Sequence, residues 1–316
     1  MMYRGQLPQL KGNLFLTDGG IETTLIFHEG QDLPDFAAFH LMRDEPGRAA
    51  LRRYFRAYTA LANEYKLGLI LETATWRASS DWAEKLGYDR AELAEINRQS
   101  VQMIEDLCGE LSTDLVISGC VGPRGDGYVP NAKMTEKQAA DYHRAQIETF
   151  AGTAADVVTA ITMNYVEEAV GITQAAQNAG IPVVISFTVE TDGTLPSGES
   201  LSDAIQEVDV VTKSYPLYYM INCAHPDHFD ETLRTGSPSW LERIRGLRAN
   251  ASRMSHAQLN ESPTLDIGDP EELGEQYAEL TKRLPNLNVM GGCCGTDHRH
   301  IGSIAKACSP LFPRQA

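Results

Sequence analysis

Two adjacent cysteines, Cys293 and Cys294, lie inside the glycine-rich run NVMGGCCGTDH, from Asn288 to His298. Thiols in such a run can pack as small buried groups, cycle as a redox pair, or ligate a soft metal. A disulfide between chain neighbours closes a strained ring, which argues against a bond between these two. A third cysteine, Cys223, sits in YYMINCAHP at the end of another apolar run. Three thiolates from two segments, with a fourth position open, is the ligand count of a catalytic zinc site. A structural zinc site would be closed by a fourth protein ligand. Gly291, Gly292 and Gly295 let the chain bend so that consecutive cysteines face one ion. C…CC is not a zinc-ribbon pattern, so spacing alone leaves packing and ligation open.

The remaining cysteines read differently. Cys108, in a predicted helix, and Cys308, in the last one, are expected to pack. Cys120 ends an apolar run and is ambiguous, with packing the simpler reading. Two histidine clusters resemble ligand sets. His298-Arg299-His300 opens a predicted helix, where histidines cap or face solvent. His225 and His228 lie near Cys223, on what reads as polar surface.

The elements that must bring Cys223 to Cys293 and Cys294 follow a repeated beat. Apolar runs of strand length at 13–20, 67–75, 114–123, 156–162, 181–188, 217–226, 244–252 and 288–295 alternate with segments of helical period. The clearest helices are predicted at 48–66, 90–111, 135–153, 166–180, 201–213, 269–284 and 298–308, with a weaker one at 227–235. Gly180 reads as a helix C-cap, and Asp269-Pro270 as a helix start. Eight such beats without a composition break predict an α/β fold, one (β/α)8 barrel spanning 1–316. An open doubly wound sheet is disfavoured because no GxGxxG follows the first strand and no phosphate loop occurs. In a barrel the C-terminal ends of the strands share one mouth, so strands six and eight can aim their cysteines at one atom. The loop CVGPRGDGYVPNAK, 120–133, would overhang that mouth.

Composition bounds the partners. The 316 residues carry 43 acidic and 27 basic side chains, a net charge of −16, which repels a phosphate backbone and excludes nucleic acid. No apolar run reaches membrane-spanning length, and MMYRGQLPQLKGN lacks the apolar stretch of a signal peptide. The expectation is a cytoplasmic protein with reduced thiols and no membrane partner.

Beyond these residues, the chain resembles the homocysteine S-methyltransferase family from about 13 to 308. The matching stretches are DGGIETTL, LETATWRAS, SGCVGP, SFTVETDGTLPSGESL, INCAHP, RANAS and GGCCGT, and the INC…GGCC pair is the specific part. The resemblance implies a Zn²⁺ cofactor held by Cys223, Cys293 and Cys294, and a small-molecule thiol and methyl donor as substrates. It implies a thiol site shaped by Asp18, Gly19, Gly20 and Glu22, with Glu72 and Thr73 lining the same mouth. Trp76 stands where the family has an aromatic ring, a wall for a cationic methyl donor. The reaction implied is methyl transfer from a sulfonium or ammonium donor to a thiol, homocysteine giving methionine. Because zinc deprotonates the thiol, no general base is required.

One departure bears on the acceptor. Where the family carries Glu-Thr-x-Pro after strand four, this chain has Ile161-Thr162-Met163-Asn164. Losing a carboxylate from a buried ammonium removes about 1.5–3 kcal/mol. Either Asp18 or Glu72 supplies the contact, or the acceptor thiol lacks the amino group. Two other readings stand beside the methyltransferase: a thiol- and zinc-binding component that needs a corrinoid protein partner, and a zinc hydrolase using His225 or Glu72 as base. Neither oligomeric state nor donor identity is legible.

Overall fold

The computed structural model describes residues 3–130, 132–262 and 264–312. Met1 and Met2 of the N-terminal stretch, and Asn131 of the overhanging loop, lie outside the described residues, as do 313–316. Eight parallel strands close into a barrel in sequence order: β1 Phe15–Leu16, β2 Gly68–Glu72, β3 Leu115–Val121, β4 Val157–Met163, β5 Val183–Thr188, β6 Tyr219–Asn222, β7 Ile244–Ala249 and β8 Val289–Gly292. Pairing of β1 with β8, Phe15 opposite Val289, completes the ring. This is the expected (β/α)8 barrel, and the seventh strand lies within the predicted 244–252.

Helices cover the outside because each strand is buried on both faces and has no polar side to show water. Every residue of β3, β4 and β5 is buried. The helix Glu45–Tyr65 turns Leu51, Tyr54, Phe55 and Tyr58 inward; Asp44 accepts from Gly47 N–H at 2.8 Å at its start. The helix Val166–Ala179 ends at Gly180, left-handed at φ 68°, as its sequence predicts. Asp269 caps Pro270–Leu280, also as expected.

A separate apolar layer fills the barrel floor: Phe15, Ile70, Val116, Val157, Val184, Met220 and Val289, covered from below by Leu7. A Cβ at Gly246 would sit 2.5 Å from Met220 Cγ, so a glycine in β7 is what lets Met220 enter this layer. Above this packed floor a cavity opens at the C-terminal mouth.

Several local expectations need correction. The helix predicted at 90–111 stops at Glu105, and Cys108 lies in a separate 3-10 turn, Cys108–Glu110, half-buried. Short helices at Ser80–Lys85, Pro238–Leu241 and His256–Glu261 have no counterpart among the predicted elements; each is too short to show a 3.6-residue period. Among the described residues, no helix is long and apolar enough to cross a membrane.

Candidate active site

Cys223 follows β6, and Cys293 and Cys294 follow β8, all on the same rim. Their sulfurs lie within 4.8 Å of one another, and those of Cys223 and Cys293 are in direct contact, with Cα atoms 5.4 Å apart. Among the described residues this is the one group of three or more potential ligands. Cys223 is buried, Cys293 half-buried, and Cys294 exposed to a cavity of about 700 Å³. Three cysteine sulfurs facing a cavity are the donor type and number of a tetrahedral zinc site with one open position, so the donor set fits that ion.

Backbone geometry makes this convergence possible. Gly295 is left-handed at φ 79° and turns the chain after Cys294. Gly291 and Gly292 serve a different purpose from the bending expected of them: Cβ atoms there would collide with the hydroxyls of Thr17 and Thr296. Cys223 itself has φ 53°, uncommon for a residue with a side chain. Thr162, across the rim on β4, is also left-handed at φ 67°, a rare conformation for a β-branched residue. Asn222 secures it: its Oδ1 accepts from Thr162 N–H at 3.1 Å and its Nδ2 donates to Thr162 Oγ1 at 2.9 Å. The β4–β5 register shifts at this point, between Ala160 and Met163. Ile161 lines the cavity there, and Asn164 is occupied elsewhere, donating to Asp126 O at 2.8 Å.

Beside the sulfurs is a buried charge cluster, since β7 runs between β6 and β8. Arg248, at the end of β7, donates to Asp18 Oδ1 at 2.7 Å and to Thr17 Oγ1 at 3.0 Å, with Glu72 Oε1 3.9 Å away. Tyr54 donates a further 2.8 Å bond to Asp18 Oδ2. Burial alone would lower the Arg248 pKa, but Asp18 and Glu72 outweigh it and hold the guanidinium above its ordinary value. Burial pushes the carboxyls of Glu22 and Glu72 up to about 7; the guanidiniums nearby only moderate the rise. Asp18 is therefore engaged by a cation. Among the described residues Glu22 forms no ion pair.

The other expected residues take these places. Glu22 lies in the first turn of Ile21–Thr23 and, with Asp18, Gly19, Gly20, Glu72 and Thr73, faces the cavity. The Gly20 N–H is used by Thr296 O at 3.1 Å, and the Gly19 carbonyl accepts from Tyr54 at 2.9 Å. Thr73 ties strands together, its Oγ1 accepting from Cys120 N–H at 2.9 Å. Trp76 lines the cavity, but Arg77 already covers its ring, 4.1 Å from the centroid and 3.9 Å from that of Trp82. Cys120 is buried and its thiol held well above its ordinary pKa by burial. Cys308 is buried in the core.

Both histidine clusters are structural. His225 caps Pro226–Arg234 by accepting from Asp227 N–H at 3.2 Å, and burial lowers its pKa to about 4. His300 closes a capping box with Asp297, and its Nε2 meets Ile267 O at 2.8 Å.

Four residues at the mouth escape sequence reading: Arg248, Tyr128, Glu190 and His256. Arg248 has a signal, a charged residue at the C-terminal end of a barrel strand. The other three sit in loops, with no period to mark them.

Comparison with known proteins identifies the family. The sequence model of the family described as homocysteine S-methyltransferase matches residues 15–308. Betaine–homocysteine S-methyltransferase 1 of Rattus norvegicus is 25% identical over 331 residues, covering 97% of this chain and 75% of that protein. Methionine synthase of Mycobacterium leprae (strain TN) is 32% identical over 146 residues, 43% of this chain and 10% of that one. Among solved structures, the metallated form of the homocysteine methyltransferase MmuM from Escherichia coli superimposes with a TM-score of 0.70 at 16% identity. That match covers 93% of this chain and 96% of the other, and it bears on the fold. On the extent of the family match, with all eight strands inside it, this chain belongs to the homocysteine S-methyltransferase family of thiol methyltransferases.

Proposed function

We propose that the protein is a zinc-dependent S-methyltransferase that moves a methyl group from a small sulfonium or ammonium donor to homocysteine, giving methionine. The observation that carries this reading is the convergence of three cysteine sulfurs within 4.8 Å on the wall of a large cavity. Cys223, Cys293 and Cys294 would hold the ion. Bound zinc would supply one thing, keeping an incoming thiol deprotonated at neutral pH. The remaining work belongs to the chain. The cavity aligns sulfur and methyl carbon for in-line displacement. A new sulfur–carbon bond forms as the bond from methyl to the donor's onium atom breaks, and the neutral thioether or amine leaves with the electron pair. The thiol proton passes to solvent, so no general base is required.

Acceptor recognition falls on the β1–β2 side of the rim. Ile161 offers the amino group nothing, and Asp18 is held by Arg248. Glu22 and Glu72 are the carboxylates left facing the cavity there, and among the described residues Asn250 Oδ1 is a buried acceptor without a partner. An ammonium placed against Glu22 would favour its charged form and lower its raised pKa. His225 is committed to capping a helix, which removes one of the two bases a hydrolase could use.

The deciding experiment is calorimetric binding of homocysteine and of 3-mercaptopropionate to zinc-loaded protein. Preference for homocysteine, weakened in Glu22→Gln, supports the proposal. Preference for the amine-free thiol would replace homocysteine as acceptor. Binding of neither thiol would sink the reading. Turnover seen only when a methylated corrinoid protein is added would make the donor a protein-borne group instead.

A further inference from the structure

The strained conformation of Cys223 raises the question of what holds it. With φ at 53° its carbonyl is turned out of the β6 ladder, although its N–H still donates to Arg248 O at 3.1 Å. The carbonyl is met by His256 Nε2, which donates to it from the short helix His256–Glu261 on the β7 loop. Ser255 fixes where that helix begins, accepting from Gln258 N–H at 3.3 Å while Gln258 Oε1 accepts from Ser255 N–H at 2.9 Å. Behind the imidazole, Glu190 Oε1 lies 3.4 Å from Nδ1. Against its face lies Tyr128, ring centroids 4.1 Å apart and planes 35° from parallel. The Tyr128 hydroxyl then reaches Cys294 Sγ at 3.7 Å. Four loops, following β3, β5, β6 and β7, thus meet at one imidazole, and the group around it reaches both Cys223 and Cys294.

We infer that Glu190, His256 and Tyr128 form a brace over the sulfur cluster: His256 positions Cys223 through its carbonyl, and Tyr128 positions Cys294 through its sulfur. The inference rests on the three cysteines holding zinc. These are positioning residues, and their effect is on how tightly and in what geometry the ion is kept. A residue in the left-handed region persists only where its surroundings over-determine it. Removing the His256 donor orphans the Cys223 carbonyl and frees Cys223 to relax toward extended backbone, carrying its sulfur off the cluster.

The test is metal affinity of the full-length protein by competition with a chromophoric chelator, with Co²⁺ substitution to read the ligand field. His256→Ala is expected to lose about 10- to 100-fold in Zn²⁺ affinity, the range for residues that orient metal ligands. His256→Gln, whose amide N–H can still donate to the Cys223 carbonyl, is expected to recover part of that loss. Tyr128→Phe is expected to shift the sulfur-to-cobalt charge-transfer band. Wild-type affinity and an unchanged cobalt spectrum in a folded His256→Ala protein would overturn the brace and leave the zinc reading intact. If that variant does not fold, Glu190→Ala decides, since wild-type affinity and spectrum there would equally overturn it. Failure of the wild-type chain to bind Zn²⁺ at all would overturn both readings.

Discussion

Two neighbouring groups at the barrel mouth, the sulfurs and the buried charges, are built on opposite physical plans. On the β6–β8 side three soft, uncharged-when-protonated thiols are gathered by backbone contortion: a left-handed Cys223, a left-handed Gly295, and glycines in β8 where a Cβ would collide. On the β1–β2–β7 side, charges are gathered by strand order: Asp18, Glu72 and Arg248 are far apart in sequence yet share one buried cluster. The sulfur side spends local conformational strain to place donors whose value appears only with an ion between them. The charged side needs no strain, because Asp18 and the guanidinium satisfy one another as soon as the barrel closes. Losing a ligand should therefore cost chemistry, and losing a charge should cost stability.

Four changes separate those plans. Cys294→Ala should abolish stoichiometric zinc and lower turnover by more than about 100-fold, beyond the range of changes outside the ligand set. The unfolding midpoint of metal-free protein should stay near wild type; metal analysis and a urea melt check both halves. Equal losses of stability on the two sides would break the contrast. Arg248→Met leaves Asp18 buried without its cation, a change that costs about 3–5 kcal/mol, read as a shifted urea midpoint.

Glu72→Gln probes the same side through pH. Its carboxyl sits at about 7 in the folded chain against 4.5 ordinarily, so folding favours the neutral acid. The cost of ionising it is absent below about pH 4.5, grows between 4.5 and 7, and is complete above. Relative to wild type, the glutamine variant should gain stability across that window, reaching about 3 kcal/mol; a pH-independent difference in melting would contradict the raised pKa. Smallest is Ile161→Glu, which restores an acid at the end of β4. If the acceptor carries an ammonium near that position, homocysteine should bind about 10- to 100-fold more tightly by calorimetry; no gain would place the amino group elsewhere, against Glu22.

Legibility in the sequence follows the same division. The three thiols of the sulfur side can be located from residue type, because they stand just beyond two apolar runs, although type and spacing leave packing and ligation open. The barrel can be read because strands buried on both faces are continuous apolar runs, and Gly180 and Asp269-Pro270 end and begin helices by local chemistry alone. Local chemistry also explains the shortfalls. Cys108 reads as helical because a 3-10 turn continues the composition of the helix before it. His256 sits in a six-residue helix too short for a period to register.

The expectation that Asp18 could take the place of the missing glutamate meets a competitor of another kind. A sequence names a carboxylate but not the cation across the barrel that already occupies it, and Arg248 stands 230 residues away. What the sequence by itself determined is the alternation of buried strands and amphipathic helices and the presence of three thiols at strand ends, since both are written in residue type over short stretches. Only the tertiary structure decided which acids are free, which face of Trp76 is covered, and that an imidazole from one loop holds a cysteine of another. Those are matters of pairing across closed strands, and the energy of a pair depends on a distance that neither residue's own neighbourhood contains.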